Sequence, residues 1–95
     1  MTRYKIRPGV VLAQVCGENL LVATRPARGK CPYVRQLNST GAYFWSLLEQ
    51  NMGEEQMLQA ARVHYQAEPE RLRSSLPPFL AGLAQQGYLI PEEPS

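Results

Sequence analysis

The chain has 95 residues, 44% hydrophobic and 19% charged, which suits one compact globular domain spanning residues 1–95. No apolar run approaches the roughly 20 residues needed to cross a bilayer, so no membrane partner is expected. The net charge of +2 hides an asymmetry: residues 1–35 hold seven Lys/Arg against Glu18, and residues 36–95 hold three Arg against seven Glu. The basic half suits an anionic partner, whether acidic peptide or phosphate, or is simply a solvated face.

Residues 1–8 read as a flexible basic lead-in, closed by Pro8-Gly9. They contain no signal-peptide h-region, so a cytoplasmic protein is expected. Val10–Cys16 is rich in β-formers and of strand length. Gly17-Glu18-Asn19 is turn chemistry, and Leu20–Thr24 is the return strand of a hairpin. Arg25–Pro32 is a basic loop with two prolines and a glycine. Tyr33–Leu37 is a third short strand, with Pro32 tolerated just before it.

The remainder is helical. Asn38 and Ser39 can each cap a helix, because a short side-chain oxygen accepts from a free N–H of the first turn. Gly41 and Ala42 keep that turn slim enough for another element to pack over it. Helix one runs to about Gln50, with Ala42, Phe44, Trp45, Leu47 and Leu48 at helical spacing. Asn51-Met52-Gly53 breaks it. Helix two begins with Glu54 and Glu55, acids suited to the positive end of a helix dipole. Met57, Leu58, Ala61 and Tyr65 share its inner face.

Pro69 is a good first residue for helix three. Leu72, Leu76, Phe79, Leu80 and Leu83 then mark its buried stripe. Pro77-Pro78 removes two N–H donors inside that stripe, so a kink or a break is expected there. Gly87 is a natural stop. Tyr88-Leu89-Ile90 folds back on the core, and residues 91–95 read as flexible. The fold expected is α+β, a three-stranded antiparallel sheet followed by three helices (β-β-β-α-α-α), as in a small winged helix-turn-helix domain.

Catalysis finds no support in these residues. His64 is alone on a helix, Cys16 and Cys31 fit no metal pattern, and no glycine-rich phosphate loop precedes a helix. Tyr43-Phe44-Trp45 suits core better than a ligand box. No catalytic residue, metal or cofactor is expected, which leaves a binding module.

The stretch Tyr33–Leu48 reads YVRQLNSTGAYFWSLL. It resembles the PqqD-like family, also called the RiPP recognition element: an aromatic-rich third strand ending in Leu-Asn, a Thr-Gly-Ala turn, then an aliphatic-Trp-Leu-Leu helix. Gly53-Glu54-Glu55, Tyr65, Glu68-Pro69-Glu70-Arg71 and Gln86-Gly87-Tyr88-Leu89 follow that family's order. The resemblance implies a non-catalytic chaperone. Such domains bind the leader of a ribosomally synthesised, post-translationally modified precursor peptide and present it to a modifying enzyme. That enzyme is a radical S-adenosylmethionine protein, a cyclase or a leader protease. It further implies that the leader adds as a strand to strand three, in the cleft beside helix three. Carried over residue by residue, the site is Tyr33, Val34, Arg35, Gln36 and Leu37, with Arg71, Leu72, Arg73, Ser75 and Leu76 as the helix wall. A free strand edge suits this physically, since its N–H and C=O groups supply affinity and alternate side chains supply specificity. The same edge permits a homodimer by strand addition. Two other readings stand beside this one. A winged-helix DNA-binding regulator would use the basic half, although helix two opens with two acids where phosphates would approach. A structural or regulatory subunit of a larger enzyme would differ only in what it contacts.

Overall fold

The computed structural model describes residues 3–66 and 69–92. Five strands and three helices follow one another as β1 (Arg3–Ile6), β2 (Val10–Val15), β3 (Glu18–Ala23), β4 (Val34–Leu37), α1 (Ser39–Glu49), α2 (Glu54–Tyr65), α3 (Pro69–Gln86) and β5 (Leu89–Glu92). The antiparallel sheet β2-β3-β4 followed by three helices is the α+β arrangement read from the sequence. In the β2–β3 hairpin, Val15 pairs with Glu18 across a two-residue turn. Cys16 and Gly17 both take positive φ, 52° and 79°. A tight primed hairpin turn needs that pair of angles. The turn therefore falls on Cys16-Gly17 rather than Gly17–Asn19, and β3 starts two residues before Leu20.

Residues 1–8 and 91–95 were expected to be flexible, yet Arg3–Ile6 pairs antiparallel with Leu89–Glu92 in a second sheet. The physical reason is a period-two pattern masked by charge. Tyr4 and Ile6 pack against the core, while Arg3 and Lys5 between them are exposed. Pro91 is tolerated because this two-stranded ribbon consists only of edges. Residues 1, 2 and 93–95 lie outside the described residues.

Each helix end has its own device. The Asn38 side-chain oxygen accepts from the Gly41 N–H at 2.7 Å, so Asn38 rather than Ser39 caps α1. Gly53 lacks a capping side chain, and the Gln56 side chain instead accepts from the Gly53 N–H at 2.9 Å. α3 is one continuous helix of 18 residues through Pro77 and Pro78, not two pieces. Both prolines are exposed, so water can meet the carbonyls that they leave unpaired, and Leu72, Leu76, Leu80 and Leu83 stay buried in phase on either side. At its end Gly87 takes φ +95°, the Gly87 N–H donates to the Ala84 carbonyl and the Tyr88 N–H to the Leu83 carbonyl. That pair of bonds is a Schellman stop.

The core lies between the inner face of the β2-β3-β4 sheet and the helices. Trp45, Tyr88, Phe44, Leu21, Met57, Leu76, Leu80, Leu83 and Leu89 are its largest fully buried side chains. Tyr88 also braces the basic loop, donating its hydroxyl to the Pro32 carbonyl at 2.9 Å. Burial pushes its phenol above the ordinary 10.0; Cys31 adds to that, and Arg35 pulls the other way. A raised folded-state pKa means a contribution that is intact below the unfolded value and lost as pH rises through the folded one. Stability should therefore fall as pH climbs above 10.0. Tyr88→Phe should flatten that fall while costing about 1 kcal/mol at neutral pH. Denaturant melts from neutral to alkaline pH check this, and superimposable alkaline profiles would contradict it.

Candidate functional site

β4 is an edge strand: β3 covers one side, and no described strand covers the other. Its residues alternate. Leu37 is buried, Arg35 is half-buried, and Val34 and Gln36 are exposed. Register explains the last two. Val34 lies opposite Val22, which lies opposite Val11, and Gln36 lies opposite Leu20. Val34 and Gln36 thus belong to the outer face of the sheet, turned away from the helices, while Arg35 and Leu37 face inward. Tyr33 sits just before β4, not in it. Its carbonyl accepts from the Ala23 N–H at 2.8 Å, its ring is exposed, and the Arg28 guanidinium lies over it at 5.6 Å.

α3 runs back along β4 and the start of α1. At one end the Arg35 guanidinium donates to the Gln86 side-chain oxygen. Further along, Phe79 packs on Gly41 so closely that a Cβ at residue 41 would lie 3.1 Å from the ring. Then comes a trough between the first turns of α1 and the first half of α3. One cavity of about 340 Å³ is lined by Thr40, Phe44, Tyr65, Arg71, Leu72 and Ser75. A second, of about 310 Å³, shares Thr40, Phe44 and Ser75 and adds Asn38, Gly41 and Phe79. Together they make one channel that starts where β4 ends. Its walls are aromatic and aliphatic, its rim carries Asn, Ser and Thr, and among the described residues its one lining charge is Arg71.

The expected helix wall is split by this geometry. Arg71, Leu72 and Ser75 line the trough. Leu76 is fully buried and belongs to the core. Arg73 turns to the other side of α3, where it pairs with Glu55 at 3.2 Å in a shallow groove beside Leu58, Gln59 and Arg62. The residues that sequence reasoning missed are Asn38, Thr40, Phe44, Tyr65, Phe79 and Gln86. The slim Thr40-Gly41 turn had signalled close packing, though not the cavity beside it. Tyr65 is held in place by Tyr43, whose ring meets it edge-on at 5.2 Å and whose hydroxyl donates to the Ala60 carbonyl at 3.2 Å. Burial first, and Tyr65 second, raise the Tyr43 phenol above 10.0, so Tyr43 stays a neutral donor at physiological pH. No cluster of three or more His, Cys, Asp or Glu side chains suited to a metal occurs among the described residues. The arrangement can offer backbone pairing along β4, apolar seats in the trough, and cations near both ends.

Comparison with known proteins gives two matches. The family described as "Coenzyme PQQ synthesis protein D (PqqD)" matches over residues 26–89. A solved structure, "TbiB1 in Complex with the TbiA(beta) Leader Peptide", superimposes with a TM-score of 0.73 at 27% identity, covering 90% of this chain and 93% of that one. No curated protein matches the sequence.

Proposed function

This chain belongs to the PqqD family, and on that premise we propose that it is a leader-binding domain without catalysis of its own. It takes the leader of a ribosomally made precursor as an added strand on β4 and presents the peptide to a modifying enzyme, such as a radical S-adenosylmethionine protein, a cyclase or a leader protease. The observation that carries the reading is the β4 edge, unpaired among the described residues, with the trough along α3 beginning at Asn38, the residue after β4. The likeness to TbiB1, which was solved with a leader peptide, supports the same choice of partner. Backbone bonds to the edge would supply sequence-independent affinity, and the trough would select side chains.

Two substitutions test this. Ser75 is exposed and lines both cavities. Ser75→Trp should fill the trough, weaken leader binding about tenfold or more, and leave the melt within about 0.5 kcal/mol of the parent. Arg35→Glu should weaken an acidic leader without unfolding the domain, since among the described residues the Arg35 side chain is bonded only to the neutral Gln86 side chain. Unchanged affinity in both folded variants, measured by calorimetry, would place the peptide elsewhere.

A further inference from the structure

On the leader-binding reading, one cation lines the trough and a second lies beyond its far end on β4. Arg71 lines the trough at one end. Arg35 lies beyond the other end, on β4, where Gln86 near the C-terminus of α3 accepts from its guanidinium; it lines neither cavity. Among the described residues neither guanidinium has a carboxylate partner, and no carboxylate lines either cavity. This contrasts with Arg3 and Arg73, which are paired to Glu92 and Glu55. From residue 71 to residue 86 a helix rises about 22 Å, at about 1.5 Å per residue. An extended peptide advances about 3.3 Å per residue, so about seven of its residues span that distance. The apolar seats fall between: Phe44 and Leu72 at the level of Arg71, and Phe79 about 12 Å further along α3.

We infer that this groove selects a leader carrying two acidic side chains about seven residues apart, with apolar side chains between them nearer the acid that meets Arg71. Arg35 and Arg71 act as the two ends of a ruler, and the bond to Gln86 keeps Arg35 aimed along α3 rather than free in solvent. The inference rests on the leader reading and adds to it the spacing and sign of the recognised charges.

The test uses the full chain and a set of fluorescein-labelled peptides of one composition. Each has the same apolar residues and two glutamates placed about three, seven or eleven residues apart. Anisotropy gives affinity, and amide NMR spectra of the complexes give the footprint. The peptide with the middle spacing should bind tightest. The other two should be roughly threefold to fivefold weaker, the loss of one exposed ion pair. The difference should fade in high salt. Arg35→Gln and Arg71→Gln should each abolish the preference while leaving residual binding. Equal affinity at all spacings, with the footprint still on Val34–Leu37 and the trough, overturns the ruler and leaves the leader reading standing. A footprint absent from that region for every peptide overturns both.

Discussion

Trp45→Ala lowers the unfolding free energy by about 3–5 kcal/mol. A domain of this length holds on the order of 5–14 kcal/mol in total, so the variant is marginal or unfolded at body temperature. Trp45 is fully buried on α1, the helix that carries Phe44 to the trough on one side and Leu47 and Leu48 into the core on the other. Truncation removes the largest side chain of the core and leaves a void that its neighbours cannot fill without moving α1. One detail sharpens the expectation. The indole Nε1 is buried with no hydrogen-bond partner among the described residues. An orphaned donor of this kind costs about 1–3 kcal/mol. Trp45→Phe deletes that donor while keeping an aromatic ring, so it should recover most of what the alanine variant loses. Urea titrations of the three proteins decide this. An alanine variant as stable as the parent, or a phenylalanine variant as damaged as the alanine one, would contradict the account of this core.

Gly87→Ala is the second large effect, and it acts through the backbone. Gly87 takes φ +95° at the Schellman stop, and a Cβ there would overlap the Lys30 carbonyl oxygen, so the backbone would have to shift. Strain at positive φ costs about 1–2 kcal/mol and the overpacking about 1–3 kcal/mol more. The total expected is therefore about 2–5 kcal/mol. The damage should spread in a definite direction. Gly87 also receives the Arg7 side chain at its carbonyl, and Tyr88 accepts from the Arg7 N–H while its hydroxyl holds Pro32. The loop before β4 and the turn after β1 both hang on this corner. Hydrogen exchange should rise first at Lys30–Tyr33 and Arg7. Gly17→Ala is the natural control: its φ is also positive, at 79°, but nothing lies within 4 Å of the added Cβ. It should cost only the backbone part, about 1–2 kcal/mol. Equal losses for the two variants would mean that the Lys30 contact is not tight.

The hairpin, the third strand and the three helices were legible because each carries its own period and its own punctuation. Pro77-Pro78 was read as a kink or a break, and α3 does not break there, because both rings face solvent while the leucines beside them stay in phase. The β1–β5 ribbon was not legible. Its partners are Arg3 and Glu92 at opposite ends of the chain, and non-local pairing leaves no local signature. At the candidate site, the strand and the start of α3 were expected, but the sidedness of their residues was not. Arg71 and Arg73 are two apart on a helix, so they cannot share a face; one lines the trough and the other meets Glu55. Val34 and Arg35 are neighbours on a strand, so they point to opposite faces of the sheet. The trough itself comes from Phe44 and Phe79, which a periodic pattern marks only as core. Its opening depends on where α3 crosses α1, and that is a tertiary fact.

In the proposed function, the β4 edge and the trough receive a leader peptide. The most direct test is a two-dimensional amide NMR titration of the domain with candidate leader peptides, and separately with duplex DNA. Adding a leader should shift Val34–Leu37, Thr40, Arg71 and Ser75, with the solvent-facing amides of β4 newly protected from exchange. Shifts confined to α2 and the Arg25–Pro32 loop on adding DNA, with none from any leader, would contradict it and favour a nucleic-acid-binding regulator.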